Sequence, residues 1–328
     1  MSLRLRKGMR RSIVLAALFS LAVTACGDDG EPEGSNGAEG LGKLNVGITG
    51  QSADLMLPTV AQELGCYEEG LEVEIFVFGG GPDGARALLN GDADIVSSAL
   101  TSPAVAQDSG QDMVVFYGGN TSQFSWWAKP EITSLDQLEG ASVIVNPLGS
   151  TPHLVTVYML DQLTSFGSEG VEFVPVSGSG ARLSSLLAGQ GDAAILAQAE
   201  AYEAEAQGYV RLAGLEDLPA ANPNSYNAMR SLLDERPEAV QAFIDGIECA
   251  VDAWDNDPDS VVPIVAEFTG YETELAQRFV TESKGRDPEC GEIREQDAQL
   301  VIEMLRGSGD ITGDVAPEDY IDDRFIGC

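Results

Sequence analysis

Histidine is nearly missing from this 328-residue chain. His153 is the only one, and the five cysteines include no pair at CxxC spacing. Zinc sites are built from Cys and His, and general acid–base chemistry draws most often on His. Metal, cofactor and hydrolase functions therefore lack their usual side chains, and none is expected. Lysine is also scarce, at four residues. Five of the 18 basic residues lie within the first 11 positions, which leaves 13 against 53 acids, a net charge of −40. Such a surface excludes nucleic acid as a partner, because binding phosphates needs the opposite sign. What is present is a 44% hydrophobic composition alongside only 22% charged residues. That is enough to bury a large core, and the length points to two domains.

Residues 1–25 read as a secretory signal peptide: Arg4, Arg6, Lys7, Arg10 and Arg11 precede an apolar run from Ile13 to Ala25. At 13 residues that run is shorter than the roughly 20 of a membrane-spanning helix. Val23-Thr24-Ala25-Cys26 resembles the bacterial lipobox, making Cys26 the expected lipid attachment site and placing the chain at the membrane through its N-terminus. Residues 26–42 are glycine-rich and acidic, the composition of a flexible tether. Four cysteines remain, and an even number in an exported chain implies two disulfides. The expected pairs are Cys249 with Cys290, both in the C-terminal helical region, and Cys66 with Cys328.

An internal duplication organises the rest. Leu88, Leu89, Gly91 and Asp94 recur 98 positions later as Leu186, Leu187, Gly189 and Asp192. Upstream, EGLEVEI (69–75) matches EGVEFVP (169–175), Gly84-Ala85-Arg86 matches Gly180-Ala181-Arg182, and LNVGITGQSADL (44–55) matches ASVIVNPLGSTPHL (141–154). Each copy reads β-α-β-α-β, with glycine closing the second helix. Alternating strands and helices predict a parallel sheet. The fold class is thus α/β: two doubly wound lobes, a hinge of two crossings, and a ligand cleft between them. Phe124–Ile132 and Asn222–Met229 are the expected crossings. Lobe I starts with 43–125, lobe II covers 126–221, and 222–328 returns to lobe I with amphipathic helices at Pro237–Trp254, Ser260–Phe268, Thr273–Ser283 and Gln296–Arg306.

The ordered set LNVGITGQSA, CYEEGLEVEIF, NGDADIVSSALTSPAVA, LDQLEGASVIVNPLGST, LAGQGDAAILAQAEA and DERPEAVQAFIDGIECA resembles the type 2 periplasmic-binding proteins. The resemblance is to the group that includes the nitrate, taurine, aliphatic sulfonate and thiamine-pyrimidine receptors. The resemblance implies a monomeric import receptor that delivers a small-molecule solute to the permease of an ABC transporter, and no enzyme. The alternatives are a pyrimidine-synthase-like enzyme on the same fold and a ligand sensor for a membrane partner.

Ligands of open parallel sheets sit at the carboxyl ends of strands. By position, the candidates are Gln51, Ser52, Gly80, Thr101 and Ser102 in lobe I, and Ser150, Thr151, Ser179, Gln198 and Glu200 in lobe II. Helix starts at Ser52, Ser102 and Thr151 favour an anionic or carbonyl-bearing solute, although each hydroxyl also suits a simple N-cap. Trp127, beside Trp126, is a candidate stacking surface. Arg86 and Arg182 stand in first helical turns, where a cation opposes the macrodipole, and meet either an anion or a neighbouring acid. His153 is expected at the cleft rim.

Overall fold

The computed structural model describes residues 40–50, 52–121, 124–218 and 223–327. The leader, Cys26, Gln51 and Cys328 lie outside the described residues. The first repeat builds β1 (Gly42–Ile48), α1 (Leu57–Glu63), β2 (Leu71–Val77), α2 (Gly81–Asn90) and β3 (Ile95–Ala99), followed by α3 (Thr101–Asp108) and β4 (Met113–Thr121). After β5 (Ser125–Ala128), the second builds β6 (Ser142–Val145), α4 (Thr151–Leu163), β7 (Glu172–Pro175), α5 (Ser179–Leu187), β8 (Ala193–Leu196), α6 (Gln198–Ala206) and β9 (Val210–Gly214). The chain returns through β10 (Pro223–Met229) to α7 (Arg230–Glu235), α8 (Pro237–Asn256), α9 (Pro258–Thr269), α10 (Thr273–Glu282), α11 (Glu295–Ser308) and α12 (Pro317–Tyr320).

The duplication survives as identical strand order. One sheet runs β2-β1-β3 and the other β7-β6-β8, all parallel. The repeated aspartate has the same duty in both. Asp94 accepts the amide of Asn45 at 2.7 Å and Asp192 accepts that of Ser142 at 2.9 Å, while their own amides donate to the carbonyls of those residues at 2.8 Å. Each carboxylate ties the loop before the third strand to the start of the first. Gly91 and Gly189, at φ +74° and +73°, supply the left-handed residue that ends the preceding helix.

The two crossings are more than links. β5 lies antiparallel between β8 and β9, and β10 antiparallel between β3 and β4. Both sheets are therefore five-stranded and mixed rather than wholly parallel. A bare crossing buried at the centre of the molecule would leave its backbone donors and acceptors unpaired, and insertion between two strands satisfies both edges.

Helices α8, α9 and α10 cover the lobe I sheet: Val240, Phe243, Ile247, Val261, Val265, Phe279 and Val280 pack with Leu44, Val46 and Ile95. The last long helix does more than cover that lobe. Val301, Ile302 and Leu305 of α11 share one apolar cluster with Leu100 and Ala104 of lobe I and Leu154, Val155 and Met159 of lobe II. The lobes thus meet through α3, α11 and α4 as well as through the two strands.

Neither expected disulfide forms. Cys66 is bonded to Cys249, with Cα atoms 5.8 Å apart, and Cys290 is itself disulfide-bonded elsewhere. The reason is helix packing: α1, which ends just before Cys66, lies along α8, whose second half carries Cys249. Tyr67 stacking on Phe243 at 6.0 Å fixes the same junction.

Candidate functional site

The strand ends of both lobes face a shared cleft of about 370 Å³. Thr49, Gly50, Ser52 and Asp54 follow β1; Phe78 and Gly79–Gly81 follow β2; Ser98 and Ala99 end β3. From lobe II come Asn146 and Ser150–Pro152 after β6, Ser177–Ser179 and Arg182 after β7, and Ala197 after β8. Three helices, α2, α4 and α5, point their N-termini at this space, and no side chain caps any of them. Their amide groups and dipoles create a positive potential there.

Of the residues picked from the sequence, Ser52, Gly80, Ser150, Thr151 and Ser179 line the cleft. Thr101 is buried and shares a hydrogen bond with Thr151 at 3.2 Å, joining the lobes across the cleft floor. Ser102 stands beside Gly81 in α3 rather than on the cleft wall. Gln198 and Glu200 lie outside the cleft in a second contact between lobes, where α6 meets α10. Gln198 donates to Glu282 at 3.3 Å, Tyr202 donates to the same carboxylate, and the Arg278 guanidinium lies 3.5 Å from the Tyr202 ring centre. Tyr271 donates to Glu200 at 3.1 Å.

Trp127 does not line the cleft. Both indoles are buried in lobe II, Trp126 donating to Thr156 at 2.9 Å and Trp127 to Ser125 at 2.8 Å. Helices cover both faces of β5, Trp126 packing with Leu154, Val155 and Met159 of α4 and Trp127 with Leu183 and Leu186 of α5 and Ala201 and Ala204 of α6, so alternation along the strand exposes neither ring. His153 accepts the Gly149 amide at 3.2 Å and meets Phe173 edge-on; burial lowers its pKa. Arg86 pairs with Asp83 at 2.9 Å on the surface.

Its repeat partner Arg182 has the opposite fate. It is 1% exposed, lines the cleft, and donates to the Ile195 carbonyl at 2.7 Å and to Asn146. Burial pulls its pKa down to about 10, opposed by the nearby Glu200 and Asp54 carboxylates, so it stays cationic at neutral pH. The position matching Asp83 in the second copy is Ser179, which leaves Arg182 no acid one helical turn away. That difference is the sequence signal for a cation reserved for something other than a surface ion pair. Ser150 adds a second: its hydroxyl is 3% exposed, caps nothing and has no hydrogen-bond partner. An unmade bond at a buried hydroxyl costs about 1–3 kcal/mol, which a bound acceptor or donor would recover. Asp54, Asn146 and Asn224 also line the cleft and were not singled out from the sequence.

Sequence comparison finds the family described as "NMT1/THI5 like" matching residues 53–261. The chain belongs to the NMT1/THI5-like family. The matched span runs from the turn after β1 to the first turn of α9, and so takes in most of the cleft. Solved structures agree on the fold, that of two-lobed periplasmic-binding proteins. The periplasmic aliphatic sulphonate binding protein SsuA from Escherichia coli superposes with a TM-score of 0.69 at 18% identity, covering 86% of this chain and 92% of its own. The alkanesulfonate-binding protein SsuA from Xanthomonas axonopodis pv. citri, bound to MOPS, gives 0.70 at 16% identity, covering 86% and 98%. A protein from Bordetella bronchiseptica RB50 gives 0.72 at 20% identity, covering 86% and 95%. No curated protein shows significant sequence similarity to the chain. Among the described residues of this NMT1/THI5-like chain, no cluster of three or more His, Cys, Asp or Glu side chains is arranged to hold a metal, and no helix is long and apolar enough to cross a membrane.

Proposed function

We propose that this protein is the extracytoplasmic solute-binding component of an ABC importer, anchored by lipid on Cys26, and that it captures a small solute bearing an acidic group. The observation that carries this reading is Arg182: a buried guanidinium that forms no contact ion pair among the described residues, at the meeting point of three uncapped helix N-termini. Such a cation, held in a low-dielectric site, binds a carboxylate, sulfonate or phosphate with charge-assisted bonds. The cleft's ionisable side chains, Asp54 and Arg182, supply no nucleophile–base pair, which favours capture over catalysis. The likeness to periplasmic sulfonate-binding proteins supports the same role. Mass analysis of the mature protein should find an acylated N-terminal Cys26, and any other N-terminus removes the anchor from the proposal.

A solute touching both lobes binds the closed form best and shifts the population toward it. Opening breaks the polar contacts between the lobes, Thr101 with Thr151 and the α6–α10 cluster, while the apolar packing of α3, α11 and α4 can serve as the pivot. Small-angle scattering should therefore show a smaller radius of gyration at saturating ligand. An unchanged radius would mean a rigid cleft, and the importer mechanism would fall.

A further inference from the structure

We infer that the molecule carries a second ligand site outside the cleft, one that takes a small organic monocation, an alkylammonium or a guanidinium, onto Glu200. This goes beyond the receptor reading and does not depend on the acidic solute. A cavity of about 460 Å³ shares the first turn of α5 with the cleft. Gly178 and Ser179 line both spaces, whereas Arg182 lines only the cleft and Glu200 only this cavity. The two side chains form no contact ion pair, so each charge faces its own space.

Both lobes build it. Lobe II supplies Leu183 and Leu187 of α5 and Glu200 and Glu203 of α6, while lobe I supplies Tyr271 and, in the first turn of α10, Leu275. Glu200 is 8% exposed. Its Oε1 accepts from the Tyr271 hydroxyl at 3.1 Å, and its Oε2 has no hydrogen-bond partner. A buried carboxylate oxygen left unpaired is costly, and a cationic N–H donor offsets that with a charge-assisted bond. No basic side chain lines the cavity among the described residues, so the donor has to come from outside the chain. Burial raises the Glu200 pKa, and Arg182 is the weakest of the influences that oppose it. Leu187, 37% exposed, and the neighbouring Leu275 leave apolar surface beside the carboxylates. That surface suits a short alkyl chain rather than a hydrated metal ion.

Because each lobe supplies a wall, the site is complete only when the lobes are together. Helix α6 also places Gln198 and Tyr202 against Glu282 of α10. One helix therefore carries both the polar contact between the lobes and the carboxylate of the second site. A cation held between Glu200 and the Tyr271–Leu275 wall favours the closed form by its differential affinity for it.

The test titrates n-butylammonium chloride and n-propylguanidinium chloride into the mature protein by calorimetry, with sodium chloride at equal ionic strength as the counterpart. Sodium reports the general attraction of a strongly anionic surface. Wild type should bind the organic cations saturably at one site and show no such response to sodium. Glu200→Gln keeps the size of the side chain and an acceptor for Tyr271. It should weaken binding at least about 10-fold, the range of a hydrogen bond to a charged group. Leu187→Lys leaves Glu200 in place and puts a tethered ammonium at the cavity wall, so it should block the free probes. Saturating n-butylammonium alone should also lower the radius of gyration in small-angle scattering. Absence of saturable binding, an equal response to sodium, or unchanged affinity in Glu200→Gln overturns the site, and an unchanged radius overturns its bridging of the lobes. Affinity for an acidic solute tests Arg182 separately, so the two readings fail independently.

Discussion

Arg182→Met loses about 100-fold or more in affinity for an acidic solute, the scale seen when one partner of a buried charged contact is removed. The fold is expected to survive it. Two hydrogen bonds go, to Ile195 and Asn146, at about 1 kcal/mol each. Against that, the buried cation itself opposes folding. Its pKa in the folded state, about 10, lies below the ordinary value of 12.5, so the charged form is disfavoured by folding at every pH below about 10. Methionine of similar length removes that penalty and fills the space. The melting temperature of the ligand-free variant should thus stay within a few degrees of wild type, while the rise on adding ligand disappears. A variant that binds within threefold of wild type would show that Arg182 is a structural cation and would withdraw the acid-binding reading.

Removing the Cys66–Cys249 bridge has the largest expected effect on stability. The two residues are 183 positions apart, and the chain-entropy relation for a loop of that length gives about 5 kcal/mol, with measured bridges nearer 2–4. Cys66→Ala with Cys249→Ala should lower the melting temperature by roughly 5–10 °C. The expected site of the loss is the α1–α8 junction under the lobe I sheet. Because Cys66 follows the end of α1 remote from the cleft, solute affinity at low temperature should change little. An unaltered melting temperature would mean the packing of Tyr67 on Phe243 and of α1 along α8 already restricts the unfolded chain as the bridge does. Peptide mapping without reduction should return Cys66 with Cys249. It should also find Cys290 joined to Cys328, since the Gly327 amide donates to the Cys290 carbonyl at 3.0 Å.

Much of the architecture was written in local pattern. The repeated LLxGxxD segment, the strand-turn-helix rhythm and the amphipathic stretches after Pro237 marked helices and strands, because periodicity and glycine caps act over a few residues. Small polar residues at strand ends located the cleft, as topology requires that those ends face it. The crossings were legible as segments but not as strands, since whether an edge is paired depends on neighbours far away in the chain.

What the sequence determined alone is the two-copy β-α-β plan and the position of its strand ends, both consequences of contacts within about 60 residues. Only the tertiary structure decided the rest. Arg86 and Arg182 occupy equivalent repeat positions, yet one reaches solvent and Asp83 while the other is enclosed beside Ile195 and Asn146. Trp127 is covered because α5 and α6 pack on its face of the sheet, and Gln198 and Glu200 turn toward the α10 side rather than the cleft. Cysteine pairing followed from α1 lying along α8. In each case the outcome depends on which surfaces the two lobes and the C-terminal helices bring together, and burial, which sets the cost of a charge or an unpaired group, exists only once they have met.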